Sequence, residues 1–318
     1  MKSDSDQQQQ QPKFAFVYLH GLLSSGRARK ACELRELLMS SSFGPLDSPT
    51  LFETPHDFST FTTTNLFPKV TSSIHSALSS SSSSSCGGRG CGCCCGVVLI
   101  GSSFGGLLAC RFVQTHQPGS EHVVGVVLLA PALELSVYIR ETPCLVRIIN
   151  GCEIIKTTTA GEEEREVKKK VVKREERESE EVVKEWKESG WVELRNKAMW
   201  GEEEAVMWSW SWMKDMEENH EKQVSEEEIG VPVLMIQGEE DEIVPCERNK
   251  EWIMKMKLKL KIKNKNKMEE KEEEKKEEEK EKEKDEMMMK GVFLKGGNHV
   301  LDNVDIFTPI LKWLPFIS

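Results

Sequence analysis

The sequence predicts an α/β fold with a mostly parallel central sheet flanked by helices. Five short apolar runs alternate along the chain with segments of helical periodicity, and polar residues do not occupy every second position within the runs. Strands of this kind are buried on both faces, as in a parallel sheet covered by helices. The 318 residues are enough for one large domain with insertions, or for two modest domains.

The apolar runs and the helical segments follow one another in a regular order. The predicted strands are FAFVYL (14–19), VVLIG (97–101), VVGVVLLA (123–130), VPVLMIQG (231–238) and GVFLKGG (291–297), and the predicted helices lie near 26–39, from 104, near 246–254 and near 303–314. In sheets of this type, ligands bind at the carboxyl ends of the strands. The residues directly after each run are therefore the candidates for a functional site.

Low-complexity segments interrupt this pattern at five places. They are a Gln run at 7–11, a Ser run at 79–85, a Cys/Gly run at 86–96, a Glu/Lys run near 162–185 and a Lys/Glu run at 255–286. None can bury much apolar surface, so each is expected to form a solvated loop, an extended charged helix or a disordered segment.

The sequence predicts a chain of four parts, into which most of these segments are inserted. We expect a disordered tail (1–13), a first core segment (14–133) with a disordered loop at 79–96, a lid insertion with a charged run (134–228), and a second core segment (229–318) with a charged insertion at 255–289. Six of the eight tryptophans fall in the lid: Trp186, Trp191, Trp200, Trp208, Trp210 and Trp212. They either line an acyl pocket or pack the lid onto the body, and the alternation in WSWSW would place three indoles on one face of a strand.

Charge and hydropathy limit the partners of the chain. A net charge of −10 argues against a general affinity for nucleic acid or anionic membranes. The first residues lack the apolar stretch of a secretory signal, and no later segment is apolar enough to cross a bilayer. We therefore expect a soluble cytoplasmic protein that acts on a small-molecule or acylated substrate, without nucleic acid and without integral membrane association.

Half of the ten cysteines lie in the stretch CGGRGCGCCC at 86–95. The stretch lacks the paired Cys-x-x-Cys units of a zinc site, and a reducing cytosol would keep these thiols free. The cluster is interpreted as a flexible loop, and no metal site is expected there.

The turn after the second run, GSSFGG, contains two serines. Only Ser103 takes the central position of a G-x-S-x-G pattern, in which a nucleophile lies on a strained strand-to-helix turn. Small residues are needed beside it, which accounts for Gly101, Gly105 and Gly106. Ser103 is the candidate nucleophile, and Ser102 is a small neighbour. The spacing does not fit G-x-G-x-x-G of dinucleotide sites. The remaining alternative is a tight turn whose serine only caps a helix.

A serine nucleophile needs groups that activate it and stabilise the product of its attack. The helix after Ser103 directs its N-terminus at the site, so the amide of Phe104 can donate to an oxyanion.

A histidine must take the serine proton. His299 follows the last strand and comes late in the chain, as the order Ser, Asp, His requires. His20 follows the first strand, where a structural hydrogen bond is expected instead. The other five histidines, expected at the surface or in packing, are His56, His75, His116, His122 and His220.

The imidazole in turn needs a carboxylate that fixes its tautomer. Asp241 is the preferred acid, because it lies just after a strand, in GEEDEIVP, and between nucleophile and base in the sequence. The alternatives are three glutamates of the same loop and one after the preceding strand: Glu239, Glu240, Glu242 and Glu134.

Together these residues resemble the α/β-hydrolase superfamily, and more narrowly the YqiA-type serine esterases. The motifs that carry the resemblance are YLHG (18–21) with Ser24 and Ser25, GSSFGG (101–106) and GGNH (296–299). The resemblance covers about residues 14–78, 97–135, 186–254 and 290–318.

The resemblance implies Ser103 as nucleophile, Asp241 as acid, His299 as base, and the backbone amides of Leu22 and Phe104 as the oxyanion hole. It implies no cofactor and no metal. The acid loop is also similar to that of mammalian acyl-protein thioesterases, so esters and thioesters are both expected substrates. A serine peptidase, an acyltransferase and a non-catalytic binding protein on the same fold are the alternatives.

Overall fold

A six-stranded sheet runs through the protein. The computed structural model describes residues 14–22, 24–82, 96–141, 181–195, 205–269 and 288–317. The strands are β1 (Ala15–Leu19), β2 (Leu46–Asp47), β3 (Val97–Ser102), β4 (Val123–Leu129), β7 (Val233–Gly238) and β8 (Met289–Leu294), in the order β2-β1-β3-β4-β7-β8 with every neighbouring pair parallel. A separate antiparallel hairpin joins β5 (Trp191–Arg195) to β6 (Ala205–Ser209). The predicted parallel sheet is confirmed.

The register of the sheet aligns the carboxyl ends of its central strands. Leu19 of β1 lies opposite Gly101 of β3, and Ser102 lies opposite Leu129 of β4. Gly238 of β7 lies opposite Leu294 of β8. The loops that leave these strands therefore start along one edge of the sheet, where separate segments of chain can meet.

Helices cover both faces of the sheet. They are α1 (Arg29–Ser40), α2 (Pro55–Thr60), α3 (Phe67–Ser82), α4 (Phe104–Gln114), α5 (Leu135–Glu141), α6 (181–189), α7 (Trp210–Met216), α8 (Lys222–Glu226), α9 (Cys246–Glu269) and α10 (Phe307–Trp313). Alternate residues of β1 enter two different cores: Val17 belongs to the core that includes residues of α3 and α4, and Phe16 belongs to the core that includes residues of α1 and α10. Burial on both faces is the reason why the strands are continuous apolar runs.

The described parts of the segment between β4 and β7 pack onto the body. They contain α5, α6, the β5–β6 hairpin, α7, a π-helical turn (Glu217–Glu221) and α8. Asp215 Oδ2 accepts the Thr63 amide at 2.9 Å, and Arg111 pairs with Glu227 at 2.6 Å. Trp252 of α9 donates to the Val224 carbonyl at 3.2 Å. Hydrogen bonds from three parts of the body thus hold this segment.

The WSWSW stretch is not one strand. Strand β6 ends at Ser209, whose side chain accepts the Ser211 amide at 3.1 Å and so begins α7. The indoles of Trp208 and Trp212 therefore meet across a strand-to-helix junction, with ring centroids 4.6 Å apart. The predicted period-two face of three indoles is wrong, because a helix cap interrupts it.

Two low-complexity segments continue helices. Helix α3 extends through Ser82, and α9 extends through Glu269, so the start of each stretch takes the helical alternative among the expected loop, charged helix and disordered segment. Lys259 of α9 donates to the carbonyls of Ser225 and Glu226 at 2.9 and 2.6 Å, and Met256 is 2% exposed. The expectation of little burial is therefore wrong for the first turns of this insertion. The Gln run, the Cys86–Cys95 cluster and most of the Glu/Lys runs lie outside the described residues.

In the part of the chain that the structure describes, no helix combines the length and the apolar character needed to span a membrane.

A buried carboxyl group holds the π-helical turn to α5. Glu221 is 7% exposed and accepts hydrogen bonds from the amide of Ser136, at 2.5 Å, and from its hydroxyl. Burial raises the pKa of Glu221 from 4.5 to about 7; the Ser136 hydrogen bonds and Arg140 oppose this rise, and Glu134 adds to it. In the folded protein, Glu221 therefore keeps its proton at pH values between 4.5 and about 7, where an exposed glutamate would be ionised.

Glu221→Gln is expected to remove a pH dependence of stability. A raised carboxyl pKa means that the stabilisation present below pH 4.5 is lost as the pH rises to 7. The free energy of unfolding of the wild type should fall relative to the variant by up to about 3 kcal/mol over that window, measured by denaturant titration. Glu218→Gln, at an exposed position of the same turn, is the control and should show no such difference. A constant difference between wild type and Glu221→Gln would contradict the prediction.

Candidate active site

Ser103 lies at the sharp turn between β3 and α4. Its backbone has φ 53° and ψ −120°, a conformation that residues with a side chain rarely adopt. The Ser103 amide donates to the Leu129 carbonyl at 2.9 Å, and its carbonyl accepts the amides of Gly106 and Ala132 at 2.9 and 3.1 Å. Its side chain makes no capping hydrogen bond to α4. The strained backbone is thus held on several sides while the hydroxyl is left for another partner.

The glycines of the turn allow this close packing. A Cβ on Gly105 would lie 2.1 Å from the Leu19 carbonyl oxygen, and one on Gly101 would lie 2.3 Å from the Gly105 carbonyl oxygen. At Gly106 it would lie 2.7 Å from Pro131. Backbone atoms fill the first two positions, so a side chain there cannot be accommodated by a change of rotamer.

His299 connects Ser103 to Asp241. Its Nε2 lies 3.0 Å from Ser103 Oγ, and its Nδ1 lies 2.9 Å from Asp241 Oδ2. With the proton on Nδ1 donated to the carboxylate, Nε2 is free to accept the serine hydroxyl proton. The three residues predicted from the sequence therefore form one chain of hydrogen bonds.

The Asp241 carboxylate is fully buried and well supplied with donors. Oδ1 accepts the amides of Ile243 and Val244 at 2.9 and 2.7 Å, and Oδ2 accepts Gln237 Nε2 at 2.8 Å. The side chain is 0% exposed, against 12% for His299. These donors compensate the burial of a charge and fix the direction of the carboxylate.

Three of the other acidic candidates have partners away from the imidazole nitrogens. Glu134 pairs with Arg248 at 3.0 Å, and Glu239 lies 3.8 Å from Lys250. Glu242 accepts the backbone amide of His299 at 3.3 Å, so it helps to hold the loop. Asp241 is the carboxylate that meets the ring.

The loop carrying His299 is locked against the end of β7. The Glu240 amide donates to the Gly297 carbonyl at 2.9 Å. A Cβ on Gly238 would lie 2.1 Å from the same carbonyl oxygen. The acid loop and the histidine loop therefore approach at backbone contact distance, which sets the separation of Asp241 and His299.

The loop after β1 lies directly against Ser103. A Cβ on Gly21 would lie 3.3 Å from Ser103 Cβ and 3.8 Å from its Oγ, so the chain at Leu22 passes beside Ser103. His20 holds this loop: its Nδ1 donates to the Gly21 carbonyl and its Nε2 accepts the Leu51 amide, both at 2.8 Å. Burial lowers the pKa of His20 to about 4, and the ring stays neutral at neutral pH.

A family model described as "Serine aminopeptidase, S33" matches residues 95–269, more than half of the chain. The chain belongs to this family of α/β hydrolases. None of the curated proteins compared with the chain matches its sequence.

Solved structures share the fold of this α/β hydrolase. Est1E from Butyrivibrio proteoclasticus, solved with ferulic acid bound, is 10% identical with a TM-score of 0.54, over 99% of this chain and 92% of Est1E. The esterase Pf2001 from Pyrococcus furiosus is 11% identical with a TM-score of 0.50, over 96% of this chain and 81% of Pf2001. At these identities the likeness concerns the fold alone.

An aromatic cluster in this hydrolase joins the turn at Ser103 to described parts of the segment between β4 and β7. The Phe104 ring contacts Phe61 and Trp212, with centroids 6.0 and 6.2 Å apart, and Trp208 packs on Trp212. Phe104, Trp208 and Trp212 are fully buried. The indoles thus pack that segment onto the body. The sequence did not identify Phe61 as part of this cluster, because it lies in a loop between helices α2 and α3.

No group of three or more His, Cys, Asp or Glu residues within the described ranges of this hydrolase is arranged to bind a metal ion. The Cys86–Cys95 cluster lies outside those ranges.

Proposed function

We propose that this α/β hydrolase is a serine hydrolase that cleaves carboxylic esters or thioesters through an acyl-enzyme intermediate. The observation that carries the proposal is the continuous hydrogen-bond chain from Asp241 through His299 to Ser103. The strained backbone of Ser103 adds support, because such strain persists only where the surroundings impose it.

In the first half-reaction, Ser103 Oγ attacks the substrate carbonyl carbon while His299 Nε2 takes the hydroxyl proton. Asp241 stabilises the resulting imidazolium. The backbone amides of Leu22 and Phe104 donate to the oxyanion of the tetrahedral intermediate. As this intermediate collapses, the carbon–oxygen or carbon–sulfur bond breaks and His299 returns the proton to the leaving alkoxide or thiolate. Water then attacks the acyl-enzyme with His299 as base, releasing the acid and restoring Ser103.

The remaining elements fit the same proposal. In this proposal, the described parts of the segment between β4 and β7 act as a cap beside the Ser103 turn, where the aromatic cluster around Phe104 holds them. The motifs that resemble YqiA-type esterases include both the Ser103 turn and the His299 loop. The proposed mechanism uses no metal and no organic cofactor, and its substrate is a small acylated molecule.

The family description favours one further candidate, a serine aminopeptidase. The same acyl-enzyme chemistry cleaves an amide when the leaving group is an amine that His299 protonates. The two candidates differ in the substrate and share Ser103, Asp241 and His299.

Labelling with a fluorophosphonate probe tests the proposed nucleophile. The wild type is expected to label, and Ser103→Ala is expected to lose labelling completely, because the probe phosphorus bonds to an activated serine oxygen. Ser40→Ala, at an exposed serine of α1, is the control and should label like the wild type. A folded wild type that does not label would favour a binding protein whose three residues are idle.

A substrate series then separates the candidate reactions. Rates with p-nitrophenyl esters and acyl thioesters of increasing chain length are compared with rates on aminoacyl p-nitroanilides. Ester or thioester turnover far above anilide turnover supports the proposal, and the reverse ranking favours the aminopeptidase.

A further inference from the structure

The second serine of the GSSFGG turn has partners that the proposed mechanism does not use. Ser102 is 6% exposed, and its Oγ accepts a hydrogen bond from Lys30 Nζ at 3.1 Å. The hydroxyl of Tyr18, on the adjacent strand β1, also bonds to Ser102. Three polar side chains from α1, β1 and β3 thus meet directly beneath the nucleophile turn.

The position of Lys30 beside Ser102 disfavours the charged form of its side chain. Burial lowers the pKa of its ammonium from 10.5 to about 8, while attraction from the carboxylates of Asp241, Asp302 and Glu33 opposes the shift. Burial also raises the pKa of Tyr18 to about 12, so this neighbour stays neutral across the working range. Lys30 also lines a cavity of about 210 Å³ between α1 and the loop after His299.

We propose that Lys30 is a positioning residue for the reaction: it fixes the nucleophile turn through Ser102 and places a positive charge near Asp241. This inference rests on the proposed function, because it assigns a role relative to Ser103 and His299. It also explains the two serines of the turn. Ser103 carries the reactive hydroxyl, and Ser102 anchors the strand end that presents it.

The physical basis is the strain at Ser103. A backbone at φ 53° relaxes unless neighbouring contacts restrain it, and the hydrogen bond from Lys30 restrains the residue immediately before the turn. Helix α1 packs in the core on one face of the sheet, so it provides a rigid support for the lysine. A shift of the serine oxygen by about 1 Å can lower a rate about a hundredfold.

A purely structural lysine would affect stability and leave the kinetics of folded protein unchanged. A positioning lysine changes kcat and the pH profile. The charged groups that act on the Lys30 ammonium are the carboxylates of Asp241, Asp302 and Glu33, and Tyr18 interacts with the Ser102 side chain that Lys30 bonds to. The pKa of Tyr18 is raised to about 12, so its titration does not overlap a loss of rate near pH 8.

The test compares the wild type with Lys30→Met, with Ser102→Ala and with the variant that carries both substitutions. Lys30→Met is expected to lower kcat for an ester about tenfold to a hundredfold, with KM within about twofold. The double variant should be no slower than Lys30→Met, because both substitutions remove the same hydrogen bond.

The wild-type kcat should fall as the pH rises through about 8, and Lys30→Met should lack that fall. Arg29→Met, at the exposed neighbour of Lys30, is the control and should match the wild type.

A Lys30→Met kcat within twofold of the wild type, an additive double variant, or an unchanged alkaline fall would each overturn the inference. If Lys30→Met does not fold, Ser102→Ala decides: labelling by the fluorophosphonate about tenfold slower than wild type supports the inference, and an equal rate overturns it. Failure of the proposed function can be distinguished from failure of this inference alone. In the first case the wild type itself would not label with the fluorophosphonate, and both proposals would be wrong.

Discussion

Asp241→Asn is expected to lower kcat about ten-thousandfold while leaving the fold intact. The carboxylate accepts two amides on Oδ1, and Gln237 Nε2 and His299 Nδ1 on Oδ2. In asparagine the carbonyl oxygen would accept the two backbone amides in place of Oδ1. Its NH2 group would then replace Oδ2 and face Gln237 Nε2 and His299 Nδ1, which are both donors. The imidazole would have to turn or to move its proton to Nε2, where it could no longer accept the proton of Ser103.

Steady-state kinetics on an ester substrate, with circular dichroism to verify folding, measures this effect. Glu240→Gln is the matched control, since it removes an exposed carboxylate from the same loop and should leave kcat within about twofold. A folded Asp241→Asn variant with kcat within tenfold of the wild type would exclude Asp241 as the acid.

Gly105→Ala is expected to prevent folding or to lower the free energy of unfolding by more than about 4 kcal/mol. The added Cβ would lie 2.1 Å from the Leu19 carbonyl oxygen and 2.8 Å from that of His20. Strand β1 pairs with β2 on one side and β3 on the other, so its backbone cannot move away without breaking the sheet. Helix α4 would have to separate from the sheet instead, carrying the nucleophile turn with it.

Gly230→Ala is the control for this substitution, because a Cβ there has no neighbouring atom within 4 Å. It should change the free energy of unfolding by less than about 1 kcal/mol, as measured by denaturant titration. Equal stability of the two variants would show that the turn can adjust to a side chain at position 105.

The sequence was most informative about the buried strands and about the residues that follow them. Apolar runs such as VVLIG and VPVLMIQG predict strands because both faces are covered, and parallel strands bring the following loops to one edge. Ser103, Asp241 and His299 could therefore be chosen from their positions alone. Strand β2 was missed, because its two residues are too short to leave a pattern.

Contacts between distant side chains that belong to no recognised motif could not be predicted. Lys30 and Ser102 lie 72 residues apart, and neither position differs in type from an ordinary solvent-exposed helix lysine or a turn serine. The sequence left the extension of α9 open for another reason. Alternating lysines in KMKLKLKIK match the period of a strand, whereas contacts with the carbonyls of Ser225 and Glu226 favour the helix.

The wide spacing of the active residues has a consequence for folding kinetics. Ser103 and His299 are separated by 196 residues, and they meet only after β8 has paired with β7 at the edge of the sheet. Contacts between such distant parts of a chain form slowly, because a large loop must close before they contribute. During refolding, enzymatic activity should therefore return with the docking of the last strand, later than the hydrophobic collapse of the central ones.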